Sequence, residues 1–179
     1  MFNRSTWMIL LVATLAAALG GWLQHRSRLA HVPAGVTVAE VGSIAPDLAL
    51  TGLDGRTHRL AEYRGHRVLV NFWASWCGPC LDEMPALDRA ARAHPDTTVL
   101  GIAMDEPARV RAFLETHPVG YPVLLGQLAS PSSSLQLGDT AELLPYSALL
   151  DGDGRVLANH RGPLDAATLE RWLSGGPVE

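Results

Sequence analysis

Val68-Leu69-Val70-Asn71-Phe72-Trp73-Ala74-Ser75-Trp76-Cys77-Gly78-Pro79-Cys80 decides how the chain folds. The first six residues are an almost continuous apolar run bounded by Gly65, the pattern of a strand covered on both faces rather than one with a wet side. The run passes directly into C-x-x-C, and the residues after Cys80 take up helical spacing: Met84, Leu87 and Ala91 recur with Asp82, Asp88, Arg89 and Arg92 between them. A central strand therefore hands over to a helix at the cysteines. The helix is expected to end near His94-Pro95, with a kink at Pro85.

The same pattern extends in both directions. Thr98–Ala103 is a second apolar strand, Asp105-Glu106-Pro107 opens a helix whose buried stripe is Val110, Phe113 and Leu114, and Val123-Leu124-Leu125 is a short third strand. Ser130-Pro131 reads as the cap and first turn of a segment carrying Leu135 and Leu137, stopped by Gly138. Ser147–Leu150 and Val156–His160 flank Asp151-Gly152-Asp153-Gly154, a hairpin, before a last helix with Ala166, Leu169 and Leu173 on one face. Upstream, Asp47–Leu50 and Thr57–Leu60 flank a turn at Gly52-Leu53-Asp54-Gly55. The order βαβ, then hairpin, then helix predicts an α/β fold: a mixed central sheet with helices on both faces.

With 179 residues the chain has room for one ordinary domain and an appendage. Apolar residues make up 47% and charged residues 18%, enough for a sizeable core and without disordered bias. All fourteen basic residues are Arg, which removes P-loop, Schiff-base and kinase chemistry, each of which needs a Lys. Beyond Val41, eleven Arg face seventeen acids, so this part repels phosphate backbones and no nucleic-acid partner is expected.

Thr6 to Leu23 carries no charge for eighteen residues, about 27 Å of helix and close to a bilayer's hydrocarbon thickness. Trp7 and Trp22 stand at its ends and Arg4 and Arg26 beyond them, as in a membrane anchor. The alternative is a cleaved secretory signal using Ala16-Ala17-Ala18. The flanking charges nearly tie, so they do not choose an orientation. These features divide the chain into residues 1–23, anchor or signal peptide, a linker over 24–42, and a domain over 43–179.

The two cysteines are too few for a disulfide framework or a four-Cys zinc site. Three residues apart, they lie one helical turn from each other, close enough to form a disulfide, with Cys77 at the helix N-terminus. Unpaired backbone N–H groups and the positive dipole end stabilise a thiolate there. Lowering a thiol from about 8.5 to about 7 corresponds to roughly 2 kcal/mol of preference for the anion, within reach of such a site. Cys80, a turn inside, lacks that advantage and is expected to be buried. Cys77 attacks and Cys80 resolves.

At these residues the chain resembles the thioredoxin superfamily, whose signature is WCGPC. Ile44-Ala45-Pro46-Asp47 with the early hairpin, VNFWASWCGPC, Glu83-Met84-Pro85 and Leu144-Pro145 before a strand and Asp-Gly hairpin narrow the likeness to the membrane-anchored TlpA/ResA-like oxidoreductases, over roughly Ile44 to Leu173. The resemblance implies a thioredoxin-like fold and protein disulfide reduction, with the catalytic domain on the periplasmic side of a bacterial inner membrane. It also implies clients such as apocytochromes c or copper-site proteins, and a membrane thiol relay of the DsbD type as electron donor. Pro145 matches the cis-proline that faces the cysteines and Leu144 a backbone contact to substrate, and Trp76, Gly78, Pro79, Leu144 and Pro145 are together the expected substrate-binding residues. Tyr146 reads equally as packing. Thioredoxins carry a buried Asp in the strand before the motif, whereas this chain has Asn71, which cannot take up a proton. Glu83, one turn beyond Cys80, matches an acid proposed as the base in ResA-like proteins; its other reading is a solvated helix acid like Asp82.

The dipeptide Gly78-Pro79 favours reduction, since thioredoxin lies near roughly −270 mV and the superfamily's strong oxidant near roughly −120 mV. An oxidase or isomerase is the rival among enzymes, and a metallochaperone or scaffold the rival outside them. A thioredoxin tethered on the cytoplasmic side is a third. Copper chaperones of the Sco type use a wider Cys spacing plus a His, and the seven His residues form no i,i+3 or i,i+4 pair, so no metal site is expected. Peroxidases place their reactive Cys in a different loop context. Asp151-Gly152-Asp153-Gly154 opens like a calcium loop, but the twelfth position is Gly162, so it is a turn. Thiol–disulfide exchange uses sulfur alone, and no cofactor is called for.

Overall fold

The computed structural model describes residues 4–28, 32–33 and 35–176. The chain divides into two compact units, Met1–Val32 and Pro33–Glu179. The first contains α1 (Arg4–Arg28), on which Met8, Leu10, Leu11, Val12, Leu15 and Leu19 are exposed. Among the described residues no helix is long and apolar enough to cross a membrane. The side chains of Thr6, Trp7, Ile9, Trp22 and Leu23, all within the uncharged run, lie outside the described residues, as do positions 29–31 and 34 of the expected linker.

The second unit is built on one seven-stranded mixed sheet. Its strands are β1 (Ala49–Gly52), β2 (Thr57–Arg59), β3 (Arg67–Trp73), β4 (Thr97–Ala103), β5 (Val123–Leu125), β6 (Tyr146–Leu150) and β7 (Val156–Arg161), in the spatial order β2-β1-β5-β4-β3-β6-β7. β3 pairs parallel with β4 and antiparallel with β6, so it has a neighbour on each side, and every residue from Val68 to Trp73 is buried. Both early and late hairpins form as expected, with β1 shifted toward the turn so that Gly52 belongs to the strand. In the late turn Asp151 accepts from the N–H groups of Asp153 and Arg155, which accounts for the Asp-Gly sequence.

Strand alternation sorts the core. Leu69, Leu149 and Val99 face α2 (Gly78–Ala93) and α5 (Ala166–Leu173), packing with Leu87, Leu169 and Trp172. Trp73 and Ala103, on the same face, meet Met84 and Val110, the latter from α3 (Pro107–Thr116). Val68, Val70 and Phe72 point the other way, onto Leu60, Leu137 and the entering segment at Ala39, Ala45 and Leu48. Ala39 stands in the stretch expected to be linker, yet it is buried and its N–H donates to the carbonyl of Gln136. Packing of the domain thus begins before residue 43.

α2 runs from Gly78 to Ala93 with Pro85 inside it. One local expectation differs. α4 is a single turn, Ser133–Gln136, capped by Ser132, whose hydroxyl accepts from the N–H of Leu135 (3.2 Å); Ser130 does not cap it. Gly138 ends it with φ +112°, a conformation that favours glycine.

Candidate active site

The cysteines stand where the central strand becomes α2. Cys77 is the N-cap residue of the helix, in extended conformation, and the N–H groups of Cys80 and Leu81 both donate to its carbonyl (3.0 and 3.1 Å). The two sulfurs are joined in a disulfide with the Cα atoms 5.3 Å apart. Cys80 is fully buried, while Cys77 keeps 5% of its surface, flanked by exposed Trp76, Gly78 and Pro79. A nucleophile arriving from solvent therefore meets Cys77 first.

Opposite them, the Leu144–Pro145 peptide bond is cis. Pro145 precedes β6, and the pairing of Phe72 with Tyr146 places it level with Trp73 when the register is extended by one residue. Leu144 packs half-buried against the cluster that holds both cysteines and Met84. Tyr146 is buried and its hydroxyl donates to the carbonyl of Leu137 (3.1 Å), so it is a packing residue. A groove of about 310 Å³ is bounded by Trp76, the residue before Cys77, and by Leu128, Leu143 and Leu144 with Met104, Ser132, Ser134 and Glu142. Trp76, Leu128 and Leu143 are 63%, 52% and 57% exposed, an apolar rim on a surface where such residues are normally scattered.

Glu83 is not a solvated acid. It is 6% exposed, with Oε1 accepting from Nδ2 of Asn71 (2.8 Å) and Oε2 from the N–H of Leu164 (2.9 Å). Burial pushes its carboxyl above the ordinary range, opposed by these two hydrogen bonds and by the nearby charge of His160. Asp82, its neighbour, is exposed. Asn71 also donates to the hydroxyl of Ser147 on β6 (3.0 Å). The sequence thus pointed to Asn71 and Glu83 separately, and the fold joins them by a hydrogen bond.

One residue at the site was read only as part of a helix start. Asp105, at the end of β4, accepts through Oδ2 from both the N–H (3.1 Å) and the hydroxyl of Ser75, and through Oδ1 from the N–H of Glu106 (2.7 Å). It clamps the loop that leads into Cys77. Its signal was its position, an acid two residues after an apolar strand that runs parallel to β3.

A thioredoxin-like α/β fold carrying a Cys-Gly-Pro-Cys disulfide at a helix N-terminus defines a protein of thiol–disulfide chemistry. Residues 41–159 match the model of the AhpC/TSA family, and the chain belongs to it. It is 33% identical over 140 residues, covering 76% of this chain and 78% of the relative, to the thiol-disulfide oxidoreductase ResA of Geobacillus kaustophilus. Against the ResA of Bacillus cereus it is 26% identical over 182 residues, covering 96% and 95%. A crystal structure of a thiol:disulfide interchange protein DsbE from Chlorobium tepidum superposes with a TM-score of 0.67 at 28% identity, over 76% of this chain and 97% of that one. The chain is a thiol–disulfide oxidoreductase, an enzyme of protein disulfide reduction whose clients are disulfide-containing proteins.

Proposed function

We propose that the enzyme reduces disulfides of client proteins outside the cytoplasm, with Cys77 as nucleophile and Cys80 as resolving thiol. The observation that carries this reading is the asymmetry of the pair: one sulfur at a helix N-terminus with access to solvent, the other one turn inside and buried. The Cys77 thiolate attacks one sulfur of the client disulfide, forming a mixed disulfide and releasing the other client sulfur as a thiolate that takes a proton from water. Glu83 accepts the proton of Cys80. The Cys80 thiolate then attacks the Cys77 sulfur, the bond to the client breaks, and the client leaves with both sulfurs reduced while Cys77–Cys80 is oxidised. Each oxygen of Glu83 accepts one hydrogen bond and keeps a lone pair for that proton.

The client lies in the groove bounded by Trp76 and Leu144, and from there it meets Gly78, Pro79 and Pro145 with its extended backbone against Leu144. Two electrons must return after each turnover, and in an oxidising compartment a membrane thiol relay of the DsbD type supplies them. α1 anchors the enzyme in a bacterial inner membrane as a single pass, with the domain in the periplasm; its uncharged run and its exposed apolar side chains support this. Clients in cytochrome c maturation or copper-site assembly fit the need for a reductant there.

Cys80→Ser tests the roles. The variant should accumulate mixed disulfides through Cys77, visible as adducts on non-reducing gels that vanish with dithiothreitol. Cys77→Ser should accumulate none. Adducts in the second variant and not the first would reverse the assignment.

A further inference from the structure

His160 takes no part in the exchange steps themselves, yet it is tied to them. On β7 it pairs with Ser147, which pairs with Asn71, so Asn71, Ser147 and His160 form one polar row across β3, β6 and β7. That row lies on the face covered by α2 and α5. The half-buried ring bonds through Nε2 to the carbonyl oxygen of Pro163 (3.2 Å). A carbonyl only accepts, so Nε2 carries the hydrogen. The N–H at the other end of the same peptide group belongs to Leu164, and it donates to Oε2 of Glu83 (2.9 Å).

We infer that His160 is a positioning residue for Glu83, acting through the Pro163–Leu164 peptide group: Nε2–H donates to its carbonyl, and its N–H donates to the carboxylate. Hydrogen bonds in series polarise one another, so a donor on the carbonyl makes the amide at the far end a stronger donor to an anion. The ring also fixes the orientation of the peptide plane. Both effects favour the ionised carboxylate, the form that takes the proton of Cys80. The inference rests on the reading of Glu83 as base.

The other groups facing this pair do not duplicate the effect. Asn71 and Ser147 are uncharged, and Tyr121, whose phenol is pushed up by burial and then by the charges of Asp88 and Glu83, stays neutral. Arg161 alternates to the opposite face, where it pairs with Asp139. Asp165, the residue after Leu164, accepts from Thr168 at the start of α5.

The test uses the full-length chain in detergent, with a thionitrobenzoate group attached to Cys77. Its release follows attack by Cys80, and the rate is recorded against pH. In His160→Leu the acid limb should move up by about half a unit, roughly a threefold loss of rate on that limb. His160→Gln, which keeps an N–H near the position of Nε2, should undo most of that shift. In a Glu83→Gln background His160→Leu should add nothing. An unmoved profile in His160→Leu, equal shifts in the Leu and Gln variants, or a full additional shift in the double variant would each overturn the inference. Parent-like behaviour of Glu83→Gln alone would instead overturn the reading of Glu83 on which it rests.

Discussion

Glu83 sits where an ionised carboxylate is costly, and the fold meets that cost with two donors and a nearby imidazole rather than a full ion pair. Asn71 suits this arrangement better than an acid would. Its Nδ2 serves the carboxylate, and its Oδ1, buried without a partner among the described residues, would serve the protonated acid if the amide turned over. An Asp at this position would put two like charges side by side. Removing the titrating group gives a kinetic and a thermodynamic expectation. Glu83→Gln should slow thionitrobenzoate release about tenfold to a hundredfold near neutral pH, the gap closing at alkaline pH where solvent takes the proton. For stability, the carboxyl titrates higher in the folded protein than in the unfolded chain. Its contribution is whole below the unfolded pKa and is lost as pH rises through the folded one. The variant should therefore gain stability relative to the parent as pH rises from the unfolded-state pKa through the higher folded-state one, whatever constant offset the amide brings. Urea midpoints that differ by the same amount at every pH would refute it. The i,i+3 spacing to Cys80 left Glu83 open to two readings in the sequence, and the likeness to ResA-like proteins singled it out. The Leu164 N–H that holds it was not, because every residue but proline carries that group.

Elements with strong apolar periodicity were legible in the sequence. β3 and β4 are apolar runs long enough to exclude a wet face, and α2 and α5 show their buried stripes directly. Legibility failed where neighbouring residues compete to cap one helix. Ser130, Ser132, Ser133 and Ser134 all carry a suitable hydroxyl, and only the three-dimensional path selects Ser132. Junctions between elements were the least legible, since their contacts join residues distant in the chain. The clamp of Asp105 on Ser75 is the case that matters for function, because it ties the β3–α2 loop to the β4–α3 loop and so sets where Cys77 meets the end of the helix. Asp105→Ala leaves the part-buried N–H and hydroxyl of Ser75 unpaired, a cost of about 1–3 kcal/mol. The variant should show a lower urea midpoint at unchanged slope. It should also attack a small disulfide several-fold more slowly, while Asp105→Asn, which keeps one acceptor, should fall between. A variant with the parent's rate and midpoint would show that the clamp does not position the nucleophile.

At the scale of the whole molecule the question is where the domain resides, and the proposed anchoring by α1 bears on it. Eighteen uncharged residues at about 1.5 Å each match a bilayer's hydrocarbon core, and α1 leaves apolar side chains exposed that in water would cost about 25 cal/mol per Å² of apolar surface. The likeness to the Bacillus cereus relative extends over 96% of the chain, well beyond the redox domain. Flanking charge does not set the orientation: the amino terminus and Arg4 on one side weigh about the same as Arg26 and Arg28 on the other. The proposed orientation rests on redox chemistry instead, since a tethered reductase fed by a membrane relay would be needed where disulfides form and persist, outside the cytoplasm. Alkaline phosphatase fused after Leu173 should therefore be active, and the fusion should stay with membranes through alkaline carbonate extraction. Deleting residues 4–28 should abolish export. An inactive phosphatase paired with a fluorescent green fluorescent protein fusion would put the domain in the cytoplasm. A mature chain beginning just after Ala18 and released by carbonate would make the segment a cleaved signal, leaving the enzyme free to diffuse from its electron donor.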